Sequence, residues 1–337
     1  MVEKRKKIEW LLILQAWAML WVVIGHSPLR ENNAFTTTDM ASHTFANVLQ
    51  TFAYSFHMPL FIMISGYLFY KTRIINQKWT WNKTIKEKLI HLGIPYLFFI
   101  TLALVIKIFV PGDVDRQVEL TPKGLVSSYL FPYDGPLREM WFIGVIFIYF
   151  CLFPVYKYLL KNKFTTIITL LVAISLFFIK FENLTSFLAF NKAIPNFVFF
   201  YVGMLIAHYR LENSVANPVT IGCSAIIAIL SFVYPFPFGT KLFGSLLFWG
   251  LAIVVEKRIT SNVFGSFRNY TYQIFLIGIF VQMLVKIIFN RYYFTNSYPI
   301  FYLLCVILGI YIPVLCAKIV EKTNIKFLKR FIGISIK

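Results

Sequence analysis

The sequence has little charge for its length. Only 14% of its 337 residues are charged, whereas 58% are hydrophobic, and the mean hydropathy is +0.70. A soluble domain of this size would expose far more charge, so the apolar excess is expected to face lipid. The scarcity of charge excludes an ordinary soluble core and indicates an integral membrane protein, with membrane lipid as a partner.

Acidic residues are scarcer than basic ones. Fourteen Asp and Glu stand against 33 Lys and Arg, which gives a formal net charge of +19. Most of the basic residues flank apolar segments, where membrane topology places them. Nucleic-acid binding needs a soluble basic face interleaved with stacking aromatic side chains, and the sequence has none. We therefore expect no nucleic-acid partner.

Cysteine is also rare, with four residues that all lie in or beside apolar segments: Cys151, Cys223, Cys305 and Cys316. Because none of them has CxxC spacing, neither disulfide staples nor a zinc cluster is expected. They are interpreted as small buried apolar residues. The sequence predicts no metal site and no bound cofactor.

Apolar segments of membrane length are abundant. Crossing a bilayer takes about 20 mostly apolar residues, and ten segments meet or approach that length: 8–26, 46–70, 89–110, 140–157, 164–181, 195–209, 217–234, 239–256, 270–290 and 298–320. The prediction is an all-α fold: a polytopic integral membrane helix bundle of about ten transmembrane helices, forming one domain over 1–337. No small-residue cleavage site follows the basic N-terminus, so the first helix is expected to stay uncleaved.

The distribution of Lys and Arg predicts the orientation. With the N-terminus inside, most of them fall on the cytoplasmic side, which favours both termini in the cytoplasm and a multi-pass protein of the cell membrane. Two outward loops, roughly 27–45 and 111–139, are long. They are candidates for an acceptor-binding or lid role, or are ordinary exposed loops.

Polar groups at membrane depth are costly and mark candidate sites. His26 ends the first apolar segment, and Gln15 lies eleven residues earlier on nearly the same helix face. A neutral imidazole can accept a proton from an attacking hydroxyl near neutral pH. The alternative is a histidine at a helix end that is bonded to water or to a loop.

The stretch 56–67 reads FHMPLFIMISGY. Pro59 removes a helix hydrogen bond, and the carbonyls so freed could line a cavity near His57. Ser65 and Gly66 permit close helix approach. We predict that His57, Ser65 and Gly66 bind substrate.

Three basic residues, Lys86, Lys88 and His91, precede the Pro95-Tyr96 step. Lys88 and His91 are i, i+3 neighbours on a helix and present one basic edge, which suits the phosphates of a soluble donor such as coenzyme A. Ordinary positive-inside flanking is the alternative.

Two aromatic residues complete the candidate set. Trp141 follows Arg138 and Glu139, and Tyr270 opens the stretch YTYQIFLI over 270–277. Each is either a wall of the substrate pocket or an interfacial aromatic residue.

In their order along the chain, four stretches resemble the acyltransferase family 3 of membrane proteins, closest to its fucose 4-O-acetylase-like branch: 8–26, 56–67, 141–142 and 270–277. The resemblance implies transfer of an acetyl or other acyl group from cytoplasmic acyl-CoA to a hydroxyl of a surface glycan or lipid-linked sugar. It also implies His26 as the catalytic base, Lys88 and His91 as a basic pair, and Ser65-Gly66 as the Ser-Gly step of the second helix.

The sequence departs from this branch at three positions. The branch commonly has an acidic residue where Leu12 stands, a basic residue where Gln15 stands, and a histidine where Gly278 stands. Gln15 donates hydrogen bonds but carries no charge. Broken helices at Pro59, Pro195 and Pro313 also fit a polysaccharide exporter or flippase. A non-catalytic partner in a glycan-assembly complex is the third hypothesis.

Overall fold

The computed structural model describes residues 8–27, 40–75, 80–109, 119, 121–180, 184–259, 262–291 and 298–334. Residues 1–7 and parts of the two predicted outward loops (28–39, 111–118 and 120) lie outside the described residues. The α-helices are α1 Glu9–His26, α2 Met40–Phe69, α3 Trp81–Lys88, α4 Ile94–Phe109, α5 Pro122–Leu130, α6 Trp141–Cys151, α7 Phe153–Leu159, α8 Lys163–Phe178, α9 Phe190–His208, α10 Glu212–Val215, α11 Pro218–Val233, α12 Pro237–Arg258, α13 Thr271–Arg291, α14 Tyr298–Lys322 and α15 Lys326–Phe331.

The all-α membrane fold is confirmed. Helix makes up 84% of the structure, and no strand occurs in the described ranges. Among the described residues, seven helical spans are long and apolar enough to cross a membrane, α6 and α7 together form an eighth candidate, and α8 and α11 are shorter apolar helices. Every one of the ten predicted segments is therefore helical, while the count of ten crossings and the cytoplasmic termini stay predictions.

Two helices differ from the predicted segments for identifiable reasons. The segment predicted over 140–157 bends by 63° between Cys151 and Phe153, where Pro154 supplies no amide hydrogen to the next helix. The segment predicted to begin at 89 begins at Trp81, because α3 continues into α4 through a wide π-helical turn over Leu89–Gly93. Lys86, Lys88 and His91 are thus inside a long helix.

The chain forms two compact units. Unit 1 comprises Met1–Ile64 and Arg210–Lys322, and in it α1 packs against α12, α13 and α14. Ala16, Val23, Ile274 and Ile310 belong to its buried core. A β-carbon at Gly278 would lie 2.8 Å from the Gly309 carbonyl oxygen, so α13 and α14 approach closely and leave no room for a side chain as large as histidine at this position.

Unit 2 comprises Ser65–Tyr209 and Thr323–Lys337. A β-carbon at Gly66 would overlap the carbonyl oxygen of Phe200, so the Ser65-Gly66 step serves close packing of the end of α2 against α9. Two buried phenols bind backbone carbonyls: Tyr149 donates to Ala193 (2.6 Å) and Tyr156 donates to Tyr149 (2.7 Å). These bonds satisfy polar groups that would otherwise be costly inside an apolar bundle.

Candidate functional site

The last turn of α1 carries the most elaborate polar structure in unit 1. The final four carbonyls of a helix have no partner within the helix itself. Four side chains from α2, α13 and α14 donate to them: Gln282 to Val23 (2.9 Å), Tyr302 to Ile24 (3.4 Å), Gln50 to Gly25 (2.9 Å) and Lys286 to His26 (3.0 Å). We call this arrangement the α1 carbonyl cage. It fixes the backbone of the turn that ends in His26.

Ser27 extends the cage by one residue. Its hydroxyl is buried and donates to the Val23 carbonyl at 2.7 Å. Gln282, which is 2% exposed, donates to the Ser27 hydroxyl at 3.0 Å as well as to Val23. One amide group therefore binds both the last turn of α1 and the residue that follows it.

The imidazole of His26 contacts the side chain of Tyr54 on α2. The Tyr54 hydroxyl lies 2.9 Å from His26 Nδ1, and the two ring centres are 5.3 Å apart. When Nδ1 carries the proton and donates it to the phenol oxygen, Nε2 carries the lone pair. In that tautomer the ring can take a proton at Nε2.

A second histidine, His57, lies beside this pair and is completely buried. Its ring centre is 6.5 Å from that of His26 and 5.2 Å from that of Tyr54. Its Nδ1 lies 2.5 Å from the Ala53 carbonyl oxygen. A carbonyl can only accept, so Nδ1 carries the proton and Nε2 is an acceptor.

His57 Nε2 is buried and has no hydrogen-bond partner among the described residues. A buried polar atom left unpaired costs about 1–3 kcal/mol. Such an acceptor suits the hydroxyl of a bound molecule. We call His26, Tyr54 and His57 the His26 cluster.

Gln15 lies on the same helix as His26, but about three turns away along the helix axis. It is half-buried, and eleven residues at 1.5 Å each separate the two by about 16 Å along the helix axis. The structure does not bring the Gln15 amide into the His26 cluster.

Tyr270 lies at the opposite end of α1 from His26. Its hydroxyl donates to Glu321 at 3.0 Å, and the neighbouring Arg268 forms a 2.7 Å ion pair with Glu9, the first residue of α1. Burial, and then the bond to Glu321, raises the pKa of Tyr270, so its phenol is a neutral donor. About 27 Å of helix separates this end from His26.

The predicted donor residues belong to unit 2 and occupy different environments. Lys86 is exposed, and His91 is half-buried in the π-helical turn that follows α3. The Lys88 ammonium lies 4.5 Å from the centre of the Phe150 ring on α6. π-Helical turns are rare and often occur at functional sites, so the wide turn next to Lys88 is consistent with a binding role.

An ion pair beside Lys88 was not predicted. Arg73 lies in a second π-helical turn, Tyr70–Ile74, and binds Glu87 at 2.7 Å. The Arg73 side chain is 8% exposed, and the second carboxylate oxygen of Glu87 is buried with no hydrogen-bond partner in the described part of the chain. No sequence spacing pairs these two residues, which stand 14 positions apart on two different helical segments.

Trp141, the last predicted substrate-binding residue, opens α6 in unit 2 directly after a 3-10 turn over Arg138–Met140. Its ring packs edge-to-face with that of Phe142, with centres 6.4 Å apart. The Arg138 guanidinium lies 4.5 Å from the centre of the Tyr133 ring. Trp141 therefore adjoins an aromatic and basic segment of unit 2.

Sequence reasoning missed Tyr54, Gln282 and Lys286. Gln282 and Lys286 are one helical turn apart in an apolar helix, and polar residues at that depth were the signal that could have found them. Tyr54 precedes His57 by three residues, which places both on one face of α2. No group of three His, Cys, Asp or Glu side chains within the described ranges could hold a metal ion.

Comparison with known proteins identifies the family. The family model described as "Acyltransferase domain" matches residues 8–318. No curated protein and no solved structure matches the chain. The matched range contains the His26 cluster, the α1 carbonyl cage and the basic residues around Lys88. Since the match covers nearly the whole chain, the protein belongs to the acyltransferase family 3 of membrane proteins that its motifs resemble.

Proposed function

We propose that this acyltransferase moves an acetyl or other acyl group from cytoplasmic acyl-CoA to a hydroxyl of a surface glycan or a lipid-linked sugar. We place it in the cell membrane and in the fucose 4-O-acetylase-like branch. The observation that carries the proposal is the His26 cluster. It contains His26, whose Nδ1 lies within hydrogen-bond distance of Tyr54, and the buried His57, whose Nε2 has no hydrogen-bond partner among the described residues. The α1 carbonyl cage holds the backbone of His26 in place.

In the proposed reaction, His26 Nε2 takes the proton of the acceptor hydroxyl as its oxygen attacks the thioester carbonyl carbon. A C–O bond forms, a tetrahedral intermediate follows, and the C–S bond breaks. The leaving thiolate takes the proton from the His26 imidazolium and departs as CoA. An acyl-histidine relay is the alternative route, in which His26 Nε2 attacks the thioester first.

The two histidines have complementary roles in this proposal. The unpaired Nε2 of His57 accepts a hydrogen bond from a second hydroxyl of the sugar, which orients the reacting hydroxyl towards His26. Sugars carry neighbouring hydroxyls, so one buried acceptor beside the base suits this class of acceptor. Gln15, about 16 Å away along α1, and Ser65 are proposed to bind the donor arm or other parts of the substrate.

The basic edge of unit 2 is proposed to bind the donor. Coenzyme A carries several phosphate charges, and Lys86, Lys88 and His91 are the predicted residues that would face them. The position of the Lys88 ammonium over Phe150 supports the proposal, because a ring face holds the long side chain in one place.

The test is mass spectrometry of surface glycans from cells with the gene, without it, and with a His26→Ala copy. We expect a mass shift of one acyl group that is lost in both the deletion and the His26→Ala strain. His208→Ala is the matched control, since His208 bonds to Tyr70 in unit 2 and has no proposed role. That strain should keep the shift at equal protein level.

Two other results would favour the rival functions. Glycan that fails to reach the surface in the deletion strain, with no covalent difference, would favour an exporter. A mass shift that is lost in the deletion strain but kept by His26→Ala would favour a non-catalytic partner, or another base.

A further inference from the structure

Gln282 and Lys286 lie one turn apart in helix α13, and the residues around them from Ile279 to Phe289 are apolar. A lysine or buried glutamine at that depth is unfavourable unless it has a specific partner. Both have one on α1. The Gln282 amide binds the Val23 carbonyl and the Ser27 hydroxyl, and the Lys286 ammonium binds the His26 carbonyl at 3.0 Å.

The contact of Lys286 suits its charge. The C-terminal end of a helix carries a partial negative charge, and a cation that binds its last carbonyls is favourable. Because the ammonium is ionised, its bond to the His26 carbonyl is stronger than a neutral one. The residue held in this way is the one whose imidazole is proposed to take the proton.

Gln282 also binds the last turn of α1, at the carbonyl of Val23, which stands three residues before His26. A second bond holds Ser27, the residue directly after His26, and a third, at 3.5 Å, goes to the Cys305 carbonyl. Together with the bond from Lys286 to the His26 carbonyl, α13 therefore binds the end of α1 at three residues. Loss of either side chain would let the imidazole turn or shift relative to Tyr54 and His57.

We propose that Lys286 and Gln282 are positioning residues that set the orientation of His26 for proton transfer. This inference rests on the proposed function. A shift of about 1 Å in a reacting group lowers the rate about a hundredfold. Holding the backbone of the catalytic base in place therefore explains why a lysine is kept within an apolar helix.

The test uses the full chain purified in detergent. Acetyl-CoA is the donor probe, glycans extracted from cells lacking the gene are the acceptor, and release of the CoA thiol gives the rate. Lys286→Met should lower kcat by about tenfold to a hundredfold, with the KM for acetyl-CoA within about twofold of wild type. Lys286→Arg keeps a charged donor and should retain at least about a third of kcat.

The control is Lys322→Met, which removes an exposed lysine at the far end of α14 in the same unit and should leave kcat unchanged. A kcat equal to wild type in Lys286→Met, or an equal loss in Lys286→Arg, would overturn the inference. Should Lys286→Met not fold, Gln282→Leu decides. A several-fold loss of kcat in it supports the inference, and a wild-type kcat overturns it.

Failure of the inference is separable from failure of the proposed function. Wild-type protein that releases no CoA and modifies no glycan contradicts the proposed function itself. An active wild type, inactive His26→Ala and fully active Lys286→Met contradict the positioning role alone.

Discussion

Unit 1 and unit 2 handle polar groups inside an apolar bundle in different ways. In unit 1 the largest group of them meets at one end of α1, where four side chains hold consecutive carbonyls and two histidines share a tyrosine, while an ion pair between Arg268 and Glu9 stands at the other end. In unit 2 they form an ion pair between Arg73 and Glu87, a lysine over an aromatic ring, and single bonds from phenols to carbonyls.

The contrast supports the proposed roles of the two units, with proton transfer in unit 1 and donor binding in unit 2. Unit 1 fixes the backbone around a group that can change protonation state and leaves one buried acceptor unpaired, which are the properties of a proton-transfer site. Unit 2 carries basic side chains in and beside two π-helical turns, an arrangement that suits the binding of an anion. The predictions below test this division of roles.

The largest effect that separates the units, after loss of His26, is expected for His57→Leu in unit 1. It removes an acceptor to which the structure gives no hydrogen-bond partner within the described ranges, together with the Nδ1 bond to the Ala53 carbonyl, so kcat should fall about tenfold to a hundredfold while thermal stability falls by only about 1 kcal/mol. Activity and melting temperature of the purified protein measure both. A large drop in melting temperature would indicate that His57 is structural instead.

The second effect concerns stability in unit 2. Arg73→Met leaves the Glu87 carboxylate without its ion-pair partner, and we expect a loss of about 1–3 kcal/mol, below that of a fully buried pair because Glu87 is 29% exposed. Thermal unfolding in detergent measures it. The double variant Arg73→Met with Glu87→Leu should recover most of the loss, and no recovery would mean that Arg73 stabilises the unit in some other way.

The third effect is on donor affinity. Lys88→Met should raise the KM for acetyl-CoA about threefold to tenfold and leave kcat nearly unchanged, since one charge–phosphate contact is worth about 1 kcal/mol or slightly more. Steady-state kinetics checks this against Lys161→Met, which removes an exposed lysine of the same unit. Equal KM values in the two variants would remove Lys88 from the donor site.

The smallest effect tests helix packing in unit 1. Gly278→Ala places a β-carbon 2.8 Å from the Gly309 carbonyl oxygen and should destabilise the protein by about 1–2 kcal/mol. Gly222→Ala is the matched control, because a β-carbon there meets nothing within 4 Å. Thermal unfolding of the two variants should differ by several degrees, and equal melting temperatures would contradict the close approach of α13 and α14.

Hydropathy was sufficient to predict the long apolar helices, because apolar length is a property of each segment alone, but not the short helix α5, Pro122–Leu130, which lies in the predicted outward loop 111–139. It could not predict the bend at Pro154 or the early start at Trp81, which depend on how neighbouring turns are bonded. His26 and His57 were found because each stands in a recognisable motif. Lys286 and Gln282 were not, since their significance lies in contacts with residues about 260 positions earlier.

Tyr270 is the opposite case, a residue that the sequence indicated but that the structure places away from His26. Its motif resembles the family, yet the structure places its hydroxyl on Glu321 near the start of α1, far along the helix from His26. The order of motifs along a chain indicates family membership, whereas the fold determines which residues of those motifs share a site. The same holds for Gly278, whose lack of a side chain is explained by the Gly309 carbonyl against it.

The most direct test of the central claim is acyl transfer by purified protein. Wild type and His26→Ala, matched for amount and melting temperature, are incubated with acetyl-CoA and glycan from cells lacking the gene, and the glycan is weighed by mass spectrometry. We predict a gain of one acetyl group with wild type and a rate lower by about 10²–10⁴-fold with His26→Ala. Equal acetylation by the two proteins would contradict the assignment of the reaction to the His26 cluster.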